Sequence, residues 1–377
     1  MDAKKVVAQF VPEQLTRARE IRAMTKTKLA EEVNLSPSTI SHYESDRTRP
    51  SASSLGSIAM ALRFPVDWFA RDPIVEPINI DDGFFRSMSS ASQYHRRKVL
   101  EDGRLISELF AALKVEGVTL PNDHVTPLKR SVRSAESIER YAKKVRSEWG
   151  LGLGPIKHPI SLLESMGVRV VLIGKEFGSV DAFSCWHEHQ PFVFLVSKAS
   201  SRMHFDSFHE TGHLLLHEDV EPGNPDIEDH ANRFSSAFLM PKESFGQECP
   251  TRWNESAFMG LKRRWHVSIQ AAVYRAHQIG AISTSTYRYA FRQINSKGWK
   301  KSEPGEWELE QPKLLRKAMN VLEVESPPAF ISNRLSISRP HAEYIYAIAT
   351  NSDDNLRPTD ESSHYADSTD AALDGVK

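Results

Sequence analysis

The segment from Phe205 to His217, FDSFHETGHLLLH, constrains this 377-residue chain more than any other, because it sets two histidines four apart in an apolar, helix-compatible run. On a helix, positions i and i+4 share a face, so His209 and His213 can both turn a ring nitrogen toward one ion. Zinc takes imidazole nitrogen at about 2.0–2.1 Å and, in catalytic sites, about three protein ligands with one position left for water. Glu210 stands beside the first histidine, where its carboxylate can take a proton from that water. Leu214, Leu215 and Leu216 embed the motif in a buried helix, where unpaired histidines and a glutamate would be costly.

A second helix, expected over Asp226–Met240, supplies the missing acid. Its face through Glu228, Ala231 and Ser235 carries only small residues beyond the glutamate, which allows a close approach to the first helix at Gly212. Glu228 is the expected third ligand, with His230 and Glu221 as weaker alternatives, and Asp226 sits where an N-cap belongs. His217, one turn beyond His213, reads as standing behind the ligands or partly exposed, with a fourth coordinating role as the weaker alternative. His187 and His189 fall in an expected hairpin turn, and His204, His266 and His277 read as structural or exposed. Cys185 reads as a core thiol. Tyr274, His277 and Tyr287 are candidates for steadying an oxyanion.

Residues 11–70 read as short helices broken by turns, with apolar residues at helical spacing in Leu15, Ala18 and Ile21, then Leu29, Ala30 and Val33, then Ile40 and Tyr43, then Leu55, Ile58, Ala59 and Leu62. Thr25 suits an N-cap, Asn34-Leu35 a turn, and Ser36-Pro37 an N-cap followed by proline at the first helical position. Ser38, Thr39 and His42 are then left on a face that could enter a major groove. Lys26, Arg47 and Arg49 are placed to neutralise phosphates and fix register. Short side chains imply modest base readout, which a homodimer would supplement. The formal net charge of -1 means that any contact with nucleic acid comes from such a local patch.

Residues 71–82, with two prolines and four acids, look like a linker. Helices are expected over Ser92–Val115 and Ser134–Trp149. Strands follow at Val168–Ile173, Asp181–Trp186 and Pro191–Val196, the last two flanking a hairpin at HEHQ. Further helices are expected at Asn254–Arg264, Ser268–Gln278 and Ser283–Ile294. The turn WHVS makes Leu261–Ala276 a second helix-turn-helix-like unit, made basic by Lys262, Arg263, Arg264 and Arg275; structural support is its first reading and nucleic-acid contact its second. The polar, acidic segment 350–377 is expected to be disordered. No run of about 18 apolar residues occurs, so no membrane partner is expected. Two cysteines, Cys185 and Cys249, and no signal peptide point to the cytoplasm.

The stretch from Arg202 through HFDSFHETGHLLLH to EDHANRFSSAFLMP resembles the ImmA/IrrE family of metallopeptidases, which pairs an HExxH helix with a following E-x-x-A-x-x-F-A-x-x-L-x-P helix. The similarity extends upstream to SIERYAKKVRSEWGLGLGPI and VDAFSCW, and downstream to LKRRWHVSIQAAVYRAHQIGAIS and SKGWKKSEPGE. This resemblance implies zinc held by His209, His213 and Glu228, with Glu210 as general base. Ser207-Phe208 and Ser235 depart from the family's usual small residues without removing a catalytic group. The family implies cytoplasmic cleavage of one or a few regulatory proteins, often repressors or antitoxins. A substrate strand would add to a sheet edge; Asp181-Ala182-Phe183-Ser184 is the candidate, an ordinary inner strand being the alternative. Residues 11–70 resemble the XRE helix-turn-helix family.

The expected architecture is mainly α, α+β: an all-α lambda-repressor-like domain at 11–70, a linker and connecting helix at 71–133, and a zincin-like α+β peptidase domain with a small sheet at 134–300. A C-terminal extension at 301–349 and the tail at 350–377 complete it. Two functions compete for this arrangement. One is a DNA-binding regulator that cleaves a regulatory protein; the other is a non-proteolytic transcriptional regulator using the zincin fold as a sensor or partner-binding module.

Overall fold

A computed structural model describes residues 3–78, 93–122, 124–128, 134–173, 182–217 and 225–350 of the chain. The expected disordered tail beyond 350, Glu221 and part of the linker lie outside the described residues.

The first five helices are α1 (Ala3–Ala8), α2 (Pro12–Ile21), α3 (Lys26–Glu32), α4 (Pro37–Glu44) and α5 (Ala52–Leu62). Side-chain caps set their starts: Thr25 accepts from the Lys28 amide, Ser36 from Thr39 and Ser51 from Ser54. Asn34 takes the left-handed conformation (φ 51°) that turns α3 into α4. Leu15, Ala18, Leu29, Ala30, Ile40, Leu55, Ile58 and Leu62 fill the interior, as their spacing predicts. The indole of Trp68 closes the bundle by donating to the Gln14 carbonyl at 2.8 Å.

The next helix, α6 (Gln93–Val115), is the spine of the molecule. Its buried face carries Leu105, Ile106, Leu109 and Leu113, but also Glu101, Asp102, Arg104 and Glu108. Buried charge is tolerated only when paired; Asp102 pairs with Lys98 one turn back on α6, and the other partners come from the helix-turn-helix side. Arg17 reaches both Glu101 and Glu108 at 2.8 Å, Arg71 pairs with Glu108, and Arg104 lies 2.7 Å from Glu13. Three C-terminal helices, α15 (Leu314–Val321), α16 (Pro327–Leu335) and α17 (Arg339–Thr350), pack on α6, and α17 also lies on β1 (Arg169–Ile173).

The sheet is small. Its order is β1, then β3 (Gln190–Val196), then β2 (Ala182–His187), with β1 parallel and β2 antiparallel to β3. Glu188 and His189 form the two-residue hairpin turn, both at positive φ. Alternating side chains divide two cores. Val171, Ile173, Phe183, Phe192 and Phe194 face the α6 and helix-turn-helix side. Val170, Leu172, Ala182, Val193 and Leu195 face the other core. The first contact is tight: a Cβ on Gly103 of α6 would lie 2.7 Å from Phe194.

The second core is built by α7 (Ala135–Glu148), α8 (Pro159–Ser165), α9 (Ser200–Leu216), α10 (Pro225–Leu239), α11 (Lys242–Glu248), α12 (Glu255–Trp265), α13 (Ile269–Gln278) and α14 (Thr284–Ser296). No helix of the described residues is long and apolar enough to cross a membrane.

Candidate metal centre

Helices α9 and α10 touch almost backbone to backbone, and Gly212 is the reason. A Cβ there would meet the Ala231 Cα at 3.3 Å, its carbonyl oxygen at 3.4 Å and Phe234 Cδ1 at 3.2 Å. Ser235 adds a hydrogen bond from its hydroxyl to the Phe205 carbonyl at 2.8 Å. The small-residue face expected of α10 is therefore the face that packs.

This crossing gathers three donor groups. The Nε2 atoms of His209 and His213 lie 3.1 Å apart. Glu228 places Oε2 3.4 Å from the first and Oε1 3.7 Å from the second. Ligand atoms about 2.0–2.1 Å from a tetrahedral ion stand roughly 3.3–3.4 Å from each other, so the spacing fits one metal. Two imidazoles and a carboxylate suit zinc or a neighbouring first-row ion.

Each imidazole is also held from behind. Asn232 Oδ1 lies 3.1 Å from His209 Nδ1, and His213 Nδ1 lies 3.2 Å from His217 Nδ1. His217 thus stands beside the triad, and His230 stacks on His217 at 5.7 Å, further back. Burial, then the charges of His209 and His217, hold His213 well below its ordinary value. Burial acts the same way on His209, but the Glu228 and Glu210 carboxylates outweigh it and hold that ring above its ordinary value. Asp226 corrects the sequence reading: α10 begins at Pro225, so Asp226 lies inside the first turn and not at the N-cap.

Glu210 is buried at the edge of this cluster, and burial pushes its carboxyl up to about 7 against the opposing pull of His209 and Ser184. Ser184 donates to Glu210 Oε2 at 2.8 Å. Sequence reasoning missed Ser184 as a side chain. It stands two residues before Trp186, whose indole donates to the Leu214 carbonyl, so both project from β2 toward α9, a placement only the fold reveals. Tyr274, His277 and Tyr287 instead sit together around α13 and α14: the His277 ring packs on Tyr287 at 4.6 Å and bonds to Thr284. His187 is buried, with Ser107 Oγ and the Glu76 carbonyl each 2.8 Å from its ring nitrogens, while His189 is exposed in the turn.

On the N-terminal bundle, Pro37 opens α4 and His42 and Arg47 are exposed. The hydroxyls of Ser38 and Thr39 turn back onto the cap, 2.7 Å and 2.8 Å from Ser36 Oγ. Lys26 lies 3.1 Å from Glu44, and Arg49 donates to the Ala8 carbonyl at 2.8 Å. Of the three cations expected at phosphates, two already have partners within the bundle.

The turn between α12 and α13 repeats this form, with His266 left-handed (φ 52°) and Ser268 capping. Glu303, however, accepts from the Ile269 and Gln270 amides at 2.7 Å and 3.2 Å and pairs with buried Lys262 at 3.0 Å. A carboxylate of the chain thus covers the helix start that would face a nucleic acid, in agreement with the structural reading of this unit.

A repressor-type helical bundle joined to a two-histidine, one-carboxylate α+β domain defines a class of protein. Residues 15–69 match the helix-turn-helix family model, and residues 163–277 match that of the IrrE N-terminal-like peptidase domain. The chain is a fusion of a helix-turn-helix DNA-binding module with a metallopeptidase-family domain of the IrrE type. No curated protein matches it.

Proposed function

We propose that this is a cytoplasmic DNA-binding regulator whose IrrE-type domain is a zinc-dependent endopeptidase acting on a regulatory protein of the repressor or antitoxin kind. The domain limits are those of the sequence reading: 11–70, 71–133, 134–300, 301–349 and 350–377. His209, His213 and Glu228 hold the zinc, which when bound supplies Lewis-acid activation of water and of the scissile carbonyl. Glu210 takes the proton from the attacking water and hands it to the leaving amine. Burial, which raises that carboxyl in the metal-free chain, favours its holding the proton between the two transfers. Ser184 keeps the carboxylate aimed. β2 is a terminal strand among the described residues, so an extended substrate can pair along it. On the N-terminal domain, Pro37, Ser38, Thr39 and His42 present α4 to the major groove of an operator, with Lys26, Arg47 and Arg49 at the backbone and a second copy completing a two-part site.

The observation that carries the enzymatic reading is the convergence of the three donor atoms within 4.8 Å of one another beside a buried glutamate. Its test is to express the chain with the proteins encoded beside it and follow fragments by mass spectrometry. A fragment present with wild type and lost with Glu210→Gln, while zinc and DNA binding persist, is expected. Identical protein patterns under every inducing stress would refute cleavage and leave the non-proteolytic regulator.

A further inference from the structure

We infer that Asn232 is a positioning residue for the metal centre: its amide oxygen fixes which nitrogen of His209 is free to bind the ion. This rests on the metal-binding reading above. Glu228 and Asn232 are four apart on α10, so one face of that helix meets the His209 ring on two sides. Glu228 approaches Nε2 at 3.4 Å, and Asn232 Oδ1 lies 3.1 Å from Nδ1.

A neutral imidazole carries one proton on one of two nitrogens. With the amide oxygen at Nδ1, the proton stays there and the Nε2 lone pair points at Glu228 and His213. With the amide turned so that its NH2 faced Nδ1, the proton would move to Nε2 and block coordination. The choice is not symmetrical, because Nε2 faces a carboxylate and another imidazole nitrogen 3.1 Å away that must share one cation. His213 solves the same problem differently, through His217 at the cap of its own helix. The two ligands are thus backed by different chemistry. Asn232 ties the first histidine to the helix that carries the acid, so one element sets both the third ligand and the orientation of the first.

Partners of this kind commonly change metal affinity about 10- to 100-fold. The experiment titrates zinc into the full-length apo protein against a chromophoric chelator and records its melting temperature without metal. Asn232→Leu, which keeps the shape and removes the acceptor, is expected to bind zinc at least about tenfold more weakly with the apo melting temperature unchanged. Asn232→Asp, which keeps an acceptor at Nδ1, is expected to recover most of that loss. Equal affinity in wild type and Asn232→Leu, with zinc lost in His209→Ala, would overturn the role of Asn232 and leave the metal site standing. Failure of wild type to bind zinc would overturn the site itself. Long-range ¹H–¹⁵N spectra of the wild-type apo protein, recorded at a pH high enough that the His209 ring carries a single proton, decide the question if Asn232→Leu does not fold: that proton on Nδ1 supports the assignment, and on Nε2 refutes it.

Discussion

Replacing Gly212 by alanine tests whether the two helices of the metal centre are as close as described. The new methyl would sit 3.2–3.4 Å from Phe234 and the Ala231 backbone, whereas carbon atoms at ease stand about 3.5–4.0 Å apart. Phe234 is fully buried and packed between Tyr141 and Phe238, so it has little room to turn. The strain therefore falls on α10, which must retreat by a few tenths of an ångström. Two energies oppose each other in stability. Alanine in a helix interior gains about 1 kcal/mol over glycine, and overpacking costs about 1–3 kcal/mol. The apo protein should lose between about 0 and 2 kcal/mol on these two terms. The metal site should suffer more, because α10 carries Glu228 away from histidines that stay on α9, and ligand distances tolerate only about 0.2 Å. A zinc affinity lower by about tenfold corresponds to about 1.4 kcal/mol. Urea unfolding of the apo protein and chelator competition measure the two quantities separately. If Gly212→Ala raised stability by the whole alanine increment and left zinc affinity untouched, the close crossing would be wrong.

Two further outcomes follow from groups away from the candidate metal centre. Burial holds His204 down at about 4, so its neutral form is the folded one. The unfolded chain takes up the proton below about 6.5, so this contribution to stability is complete above that pH and is lost as pH falls from 6.5 to about 4. At 1.36 kcal/mol per pH unit it amounts to about 3 kcal/mol, and His204→Phe should flatten the stability–pH slope across that window by about one proton; an unchanged slope in urea titrations would count against it. Arg47→Ala should weaken binding to duplex DNA and lower the magnitude of the salt slope by about one, whereas Arg49→Ala should do less, since that guanidinium is tied to the Ala8 carbonyl. Fluorescence anisotropy across a salt series reads both, and a larger effect from Arg49 would contradict the placement.

Much of the centre was legible because its determinants are periodic. HExxH declares its own face, and a glutamate followed by Ala231 and Ser235 declares a helix that can come close to a glycine. The three strands and their hairpin were visible as short apolar runs around HEHQ, displaced by only a residue or so in the structure. What was missed depends on long-range partners. Nothing local marks Ser184 as the partner of Glu210, or Asn232 as that of His209, since each is an ordinary polar residue until the fold places it. The sequence reading assigns no helix to the C-terminal extension, although Leu314, Leu315, Ala318 and Met319 have helical spacing and are buried. Their apolar stripe is short, and only the surface of α6 explains what it covers.

The same helix shows why charge patterns mislead. QYHRRKVLEDGRLISELF is dense in charge, yet Glu108 is 0% exposed and Asp102 2% exposed. The counter-charges of Glu108 lie far away in sequence, on Arg17 and Arg71 of the helix-turn-helix side, while Asp102 pairs with Lys98 one turn back. Removing one member of such a buried pair costs about 3–5 kcal/mol because the other is left without its charge partner. Ser107, next to Glu108, bonds to His187 on β2, three residues beyond the Ser184 that holds Glu210. A single turn of α6 therefore touches both the DNA-binding bundle and the strand beside the metal centre, and the relative placement of the two is set by hydrogen bonds and ion pairs along that helix as much as by apolar packing.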